Sequence, residues 1–204
     1  MQRFRMIRCW VRPLRRLFPL LVAAAQAGCV SSFLYFPDKE IRAIPEQLGL
    51  TPRWEFFEAR DGVRLSAWYV PKTDARGVVL FLHGNGGNVS HYLQALAMFS
   101  RLGFGSFILD YRGYGRSEGT PSEQGTYLDA EAAWRYLVRT LHIPPDSIVV
   151  FGRSLGGSIA AWLAREHTPR MLVLESAFTS LRDVAADLYP WAPTRLLTGD
   201  MYDT

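Results

Sequence analysis

The sequence predicts an α/β protein with a mostly parallel sheet and helices on both faces. Three observations predict it. From Val78 onward, an order of strand, glycine-containing loop and helix recurs. The run Val78-Val79-Leu80-Phe81-Leu82 is apolar without alternation, as a strand covered on both faces requires. Gly152-Arg153-Ser154-Leu155-Gly156 lies between a β-branched apolar run and a helical one, which sets a serine at a strand-to-helix junction.

Residues 1–28 read as an export signal. Arg3, Arg5, Arg8, Arg12, Arg15 and Arg16 precede an apolar stretch from Leu17 to Ala25, and small residues lead to Gly28-Cys29. The stretch is short for a bilayer span, and Pro19 interrupts it. Ala27-Gly28-Cys29 resembles the end of a bacterial lipobox, with Gln26 where that motif usually carries leucine. Cleavage there would leave Cys29 as a lipidated amino terminus, and Cys29 has no other evident role. Ala25-Gln26-Ala27 also fits the small-x-small site of an ordinary signal peptidase, and an uncleaved anchor helix is a third reading. All three send the protein to the cell envelope; the lipobox would attach it to the membrane by a lipid and the uncleaved anchor by the signal segment.

The net charge of +4 comes from this leader; the rest of the chain holds 17 basic and 19 acidic residues. The charge is therefore a tag on one end, which excludes a basic nucleic-acid-binding face on the folded body. Cys9 and Cys29 are the only cysteines, so the body has no disulfide framework and no thiolate metal site.

Residues 29–53 form an irregular lead-in with Pro37, Pro45 and Pro52. The domain proper spans 54–204. Trp54 to Ala59 and Val63 to Val70 read as strands, and Asp61-Gly62 between them is a hairpin turn. Val78 to Leu82 is the first parallel strand. A helix from about Tyr92 to Leu102 ends at Gly103, and Phe104 to Leu109 is the next strand. Tyr127 to Leu141 is an amphipathic helix with Leu128, Ala132, Trp134, Leu137 and Val138 on its core side. A strand from Ser147 to Phe151, a helix from Ser158 to Arg165, a strand from Met171 to Leu174 and a short helix near Ser180 complete the pattern. There is no internal repeat.

The chemistry is read from the loops. In Gly152–Gly156 the turn is too tight for side chains on either side of Ser154, hence Gly152 and Gly156. The serine hydroxyl is left exposed at the carboxyl end of its strand, placed to attack a carbonyl. His83-Gly84-Asn85-Gly86-Gly87-Asn88 follows the Val78–Leu82 strand. Attack on a carbonyl builds negative charge on its oxygen, and one well-aimed backbone N–H is worth roughly a hundred- to thousand-fold in rate. In the elbow architecture one donor is the N–H after the nucleophile, here Leu155, and the other comes from the earlier loop. Asn85 is the first choice for it and Gly86 the reserve, with His83 and Gly84 as loop support. The plainer alternative is a pair of tight βα turns without chemistry.

On these residues the sequence resembles the α/β-hydrolase superfamily. The likeness runs from about Tyr35 to the end and rests on four segments: His83–Asn88, Asp110-Tyr111-Arg112-Gly113-Tyr114-Gly115-Arg116-Ser117-Glu118-Gly119, Gly152–Gly157, and Leu174-Glu175-Ser176-Ala177-Phe178-Thr179-Ser180. Together they are similar to the serine-aminopeptidase-like and acyl-protein-thioesterase-like branch. The resemblance implies a serine hydrolase cleaving an ester, thioester or amide of a small acyl or peptide substrate, with no metal or organic cofactor. It also implies a triad acid and histidine late in the chain. Neither is found before Thr204, so both are expected beyond it, and the 204 residues by themselves are expected to be inactive.

His83, His91, His142 and His167 do not fill the role of general base, and Glu175 reads as structural. The alternative function is a membrane-attached, non-catalytic α/β-hydrolase-like binding module. A nucleotide site is disfavoured because Val89 stands where G-x-G-x-x-G needs its third glycine. Asp110–Gly119 reads as a loop packed under the active face. Its sharper reading, a phosphate cradle, lacks a following Walker-type lysine.

Overall fold

A computed structural model describes residues 35–178, 180 and 202. Its centre is a six-stranded sheet of β1 (Arg53–Glu58), β2 (Arg64–Val70), β3 (Val78–Leu82), β4 (Gly105–Asp110), β5 (Ile148–Arg153) and β6 (Met171–Glu175), in the spatial order β1-β2-β4-β3-β5-β6. β1 and β2 form an antiparallel hairpin, β2 joins β4 antiparallel, and β4, β3, β5 and β6 run parallel. The hairpin turns where predicted, with Gly62 at φ +81° and its N–H donating to the Ala59 carbonyl.

Among the described residues three α-helices cover the sheet: α1 (Leu93–Arg101), α2 (Glu123–Arg135) and α3 (Leu155–Glu166). β3 is buried along its whole length, and its residues alternate between two cores. Leu80 and Leu82 join Leu109, Val150, Trp134, Ile159 and Leu163 on the α2/α3 face. Val79 and Phe81 join Ile108, Val149, Leu96 and Phe99 on the α1 face. The connection after β3 thus leaves to one face and the connection after β5 to the other, although the two strands are neighbours. Open parallel sheets place their ligand crevice outside the carboxyl ends of strands at such a reversal. Both glycine-containing motifs lie there.

Two helix boundaries differ from the sequence reading. α2 begins at Glu123, four residues earlier, because Ser122 caps it: its Oγ accepts from the Gly125 N–H at 3.1 Å. Its end widens into a π-helical turn at Tyr136–Thr140. α3 begins at Leu155, three residues earlier, so a single residue separates it from β5.

The lead-in is also more ordered than its prolines suggested. Phe36–Pro37 pairs in parallel with Gly86–Gly87, Pro45–Leu48 forms a 3-10 turn, and Tyr35 is buried in the larger core. β6 is an edge strand among the described residues, with Met171, Leu172 and Leu174 exposed. The leader with Cys29 and the helix expected near Ser180 lie outside the described residues, apart from Ser180 itself.

Candidate active site

Ser154 is the one residue between β5 and α3, and its backbone sits at φ +52°, ψ −119°. L-residues rarely adopt this region, and a non-glycine residue held there stores on the order of 1–3 kcal/mol. Backbone bonds hold it from both sides. Its N–H donates to the Glu175 carbonyl at 2.9 Å, and its carbonyl accepts from the Gly157 N–H at 2.8 Å. The residue is half-buried.

The flanking glycines owe their identity to close packing rather than to their own dihedrals. A Cβ on Gly156 would strike the Leu82 carbonyl and lie 2.6 Å from the His83 carbonyl oxygen. A Cβ on Gly152 would strike the Gly156 carbonyl and lie 2.6 Å from the Ala160 Cβ. The first turn of α3 therefore presses against the end of β3. That contact brings the two motifs together: a Cβ built on Gly84 would be 3.6 Å from the Ser154 Cβ. Leu155 is the first residue of α3, where backbone N–H groups have no intrahelical partner.

The loop after β3 is held at three successive peptide oxygens. Tyr111 Oη donates to the His83 carbonyl (3.1 Å), His83 Nδ1–H to the Gly84 carbonyl (2.7 Å), and Tyr114 Oη to the Asn85 carbonyl (2.8 Å). In a trans peptide the N–H points opposite to the C=O. Fixing these oxygens therefore fixes the N–H directions of Gly84, Asn85 and Gly86. On its outer side the loop is fastened by the Phe36–Pro37 pairing and by Asn88, whose Nδ2 donates to the Asp38 and Glu40 carbonyls.

Residues 77–199 match the family model of the alpha/beta hydrolase fold. The chain belongs to the α/β-hydrolase family. It is 40% identical over 173 residues to an uncharacterized protein of Mycobacterium tuberculosis, covering 83% of this chain and 61% of that one. It is 41% identical over 152 residues to the alpha/beta hydrolase domain-containing protein WAV2 of Arabidopsis thaliana, covering 72% and 49%. The chain thus spans between about half and three-fifths of the length of these relatives. Among solved structures, an alpha-beta hydrolase from Vibrio vulnificus aligns with TM-score 0.68 at 26% identity, over 81% of this chain and 64% of that one. An esterase from Pyrococcus furiosus shares the fold at TM-score 0.64 and 21% identity, over 81% and 69%.

Within this α/β-hydrolase frame the histidines occupy other posts. His83 is fully buried among the rings of Tyr92, Tyr111 and Tyr114. Donation to the Gly84 carbonyl fixes its proton on Nδ1 and leaves Nε2, which is buried, without a partner among the described residues. Burial pulls its pKa down to about 4, so the ring is neutral and shapes the loop. His91 Nδ1 accepts from the Asn88 N–H at 3.2 Å as half of a capping box. His142 is exposed in a left-handed turn. His167 stacks on Trp134 and bonds Glu131 at 2.5 Å. The Glu175 carboxylate is engaged by Arg153 Nε at 2.6 Å.

The Asp110–Gly119 loop supports the site rather than forming a phosphate cradle. Arg112 is buried and holds Asp129 and Asp61 through its guanidinium, while Arg116 lies 4.0 Å over the Trp54 ring. Asp110 is buried beneath the loop, accepts from the Val89 N–H at 2.9 Å, and is pushed up to about 6 by burial. No group of three or more His, Cys, Asp or Glu among the described residues is arranged to hold a metal ion. Tyr111 and Tyr114 were not singled out individually from the sequence. The only signal was their place in a glycine-containing loop after a buried strand.

Proposed function

We propose that the protein is a serine hydrolase acting on an ester, thioester or amide carbonyl. Ser154 Oγ attacks the carbonyl carbon and forms the tetrahedral intermediate. The Leu155 and Asn85 N–H groups receive the oxyanion, with Gly86 as the alternative donor. The serine proton passes to a histidine base and from it to the departing alcohol, thiol or amine; water then releases the acyl group from Ser154. The base and its orienting acid are proposed to follow Thr204 in sequence, since His83, His91 and His167 are engaged in other contacts and His142 is exposed at positive φ.

The observation that carries the reading is the backbone of Ser154. A serine held at φ +52°, between a parallel strand and a helix whose first turn abuts the loop after β3, is costly to maintain without a use for its hydroxyl. The test is covalent labelling of the full-length protein by a fluorophosphonate. Mass spectrometry should place the adduct on Ser154, and Ser154→Ala should abolish it. Absence of an adduct on a folded full-length protein with Ser154 intact refutes the proposal.

The engagement of Glu175 by Arg153 and the placement of the histidines favour a second reading, a non-catalytic binding module attached to the membrane. It predicts no adduct and no ester turnover in the same assay. For either reading we propose an envelope location through Cys29. Cys29→Ser should then lose a lipid-sized mass and move from the membrane to the soluble fraction; an unchanged mass and distribution would reject the lipid anchor.

A further inference from the structure

We infer that Tyr114 is a positioning residue for the oxyanion donors: its hydroxyl fixes the Asn85–Gly86 peptide and thereby the aim of the Asn85 and Gly86 N–H groups. The inference rests on the proposed role of Ser154 and goes beyond it. Loop residues 84, 86 and 87 are glycines, and glycine supplies no stiffness of its own. An oxyanion site works only if its donors are already aimed when charge develops. The stiffness must therefore come from outside the loop.

Tyr114 supplies it from a separate element. Its ring is fully buried, against His83 at 5.5 Å and Tyr111 at 6.0 Å between centroids. Its backbone is anchored by its own N–H to the Tyr111 carbonyl, and the next N–H, of Gly115, donates to the Asp38 carbonyl. The hydroxyl has one proton and two acceptors in reach, Asn85 O at 2.8 Å and Asn85 Oδ1 at 2.9 Å. Both belong to one residue, so either choice holds Asn85. The peptide on the other side of Asn85 is fixed by His83 Nδ1 on the Gly84 carbonyl. The Asn85 Cα is thus a hinge between two pinned planes. Removing the Tyr114 hydroxyl takes away the hold on the inner side of the second plane, which carries the Gly86 N–H, and leaves that plane to the Phe36 pairing on the outer side, so its aim loosens. Burial raises the phenol pKa, so the hydroxyl remains a donor throughout the working pH range.

The test compares Tyr114→Phe with Tyr127→Phe in the full-length protein. Tyr127 is a buried phenol whose hydroxyl bonds Glu123 on α2, away from the loop. The readouts are hydrolysis of p-nitrophenyl butyrate and the rate of fluorophosphonate labelling, each normalised to folded protein by circular dichroism. Tyr114→Phe should lower kcat about 10- to 100-fold, less than loss of a donor outright, with KM within about threefold. Tyr127→Phe should keep kcat within about threefold while losing a comparable amount of thermal stability. A Tyr114→Phe kcat within about twofold of wild type overturns the inference and leaves the serine hydrolase reading intact. A wild-type protein that neither labels nor turns over removes the reading, and the inference with it.

Should Tyr114→Phe fail to fold, Asn85→Ala answers instead. It keeps the backbone carbonyl that Tyr114 holds, so kcat should fall less than about tenfold by comparison with outright donor loss. A loss as deep as that of Ser154→Ala would put the work in the Asn85 side chain and overturn the inference.

Discussion

Replacing Ser154 by glycine should stabilise the protein relative to replacing it by alanine. Both variants delete the hydroxyl and differ only in whether residue 154 tolerates φ +52°, ψ −119°. For glycine this conformation is the mirror image of an ordinary extended one and costs no more than its counterpart. For alanine, as for serine, it costs on the order of 1–3 kcal/mol. Against this, glycine loses about 0.5–1 kcal/mol through the extra freedom of its unfolded chain. The net expectation is that Ser154→Gly exceeds Ser154→Ala by roughly 0.5–2 kcal/mol, or several degrees in Tm for a domain of this size. Urea denaturation of the two variants, with matched slopes, measures the difference. Neither should label with fluorophosphonate. If the alanine variant is as stable as the glycine variant, the elbow is not strained and the backbone of Ser154 does not mark it as a nucleophile.

Other expectations follow from the contacts around the site. Gly156→Ala would force a methyl into the Leu82 carbonyl, so it should cost about 3 kcal/mol or more in thermal denaturation and abolish labelling. Arg112→Met would leave Asp129 buried without its guanidinium, a loss of about 3–5 kcal/mol, and adding Asp129→Asn should recover part of it. The His83 pKa falls from 6.5 to about 4 on folding, so its contribution to stability is complete above pH 6.5 and is lost as pH falls through 4. That contribution is about 3 kcal/mol from the size of the shift. Asp110 acts oppositely: with its pKa raised from 3.8 to about 6, its contribution is complete below pH 3.8 and lost as pH rises through 6. Urea midpoints of Asp110→Asn should therefore rise more steeply between pH 4 and 6.5 than those of the wild type. Parallel profiles would contradict the assignment.

The strand sequence, the two glycine motifs and the hairpin were legible because each has a local signature. Val78–Leu82 needs burial on both faces, and Asp61-Gly62 needs a turn. Boundaries were less legible where a polar cap competes with apolar periodicity. Ser122 starts α2 before its amphipathic stripe begins, and α3 starts within Leu155-Gly156-Gly157, which carries little helix propensity. That helix is stabilised by packing, since the missing side chains of Gly152 and Gly156 let its first turn close on β5 and on the end of β3. The props of the candidate site were the least legible. Tyr111 and Tyr114 grip carbonyls 28 and 29 residues away in sequence, and Phe36 pairs with Gly86 across 50. Nothing local in a tyrosine or a proline-flanked phenylalanine announces such a partner.

The pairing of Phe36 and Pro37 with Gly86 and Gly87 also sets a distance. Tyr35 follows Cys29 by only six positions. Even fully stretched, that segment reaches roughly 20 Å. A lipid on Cys29 would then hold the mouth of the crevice within one short leash of the bilayer surface. Substrates arriving along that surface would meet it before those diffusing from the bulk.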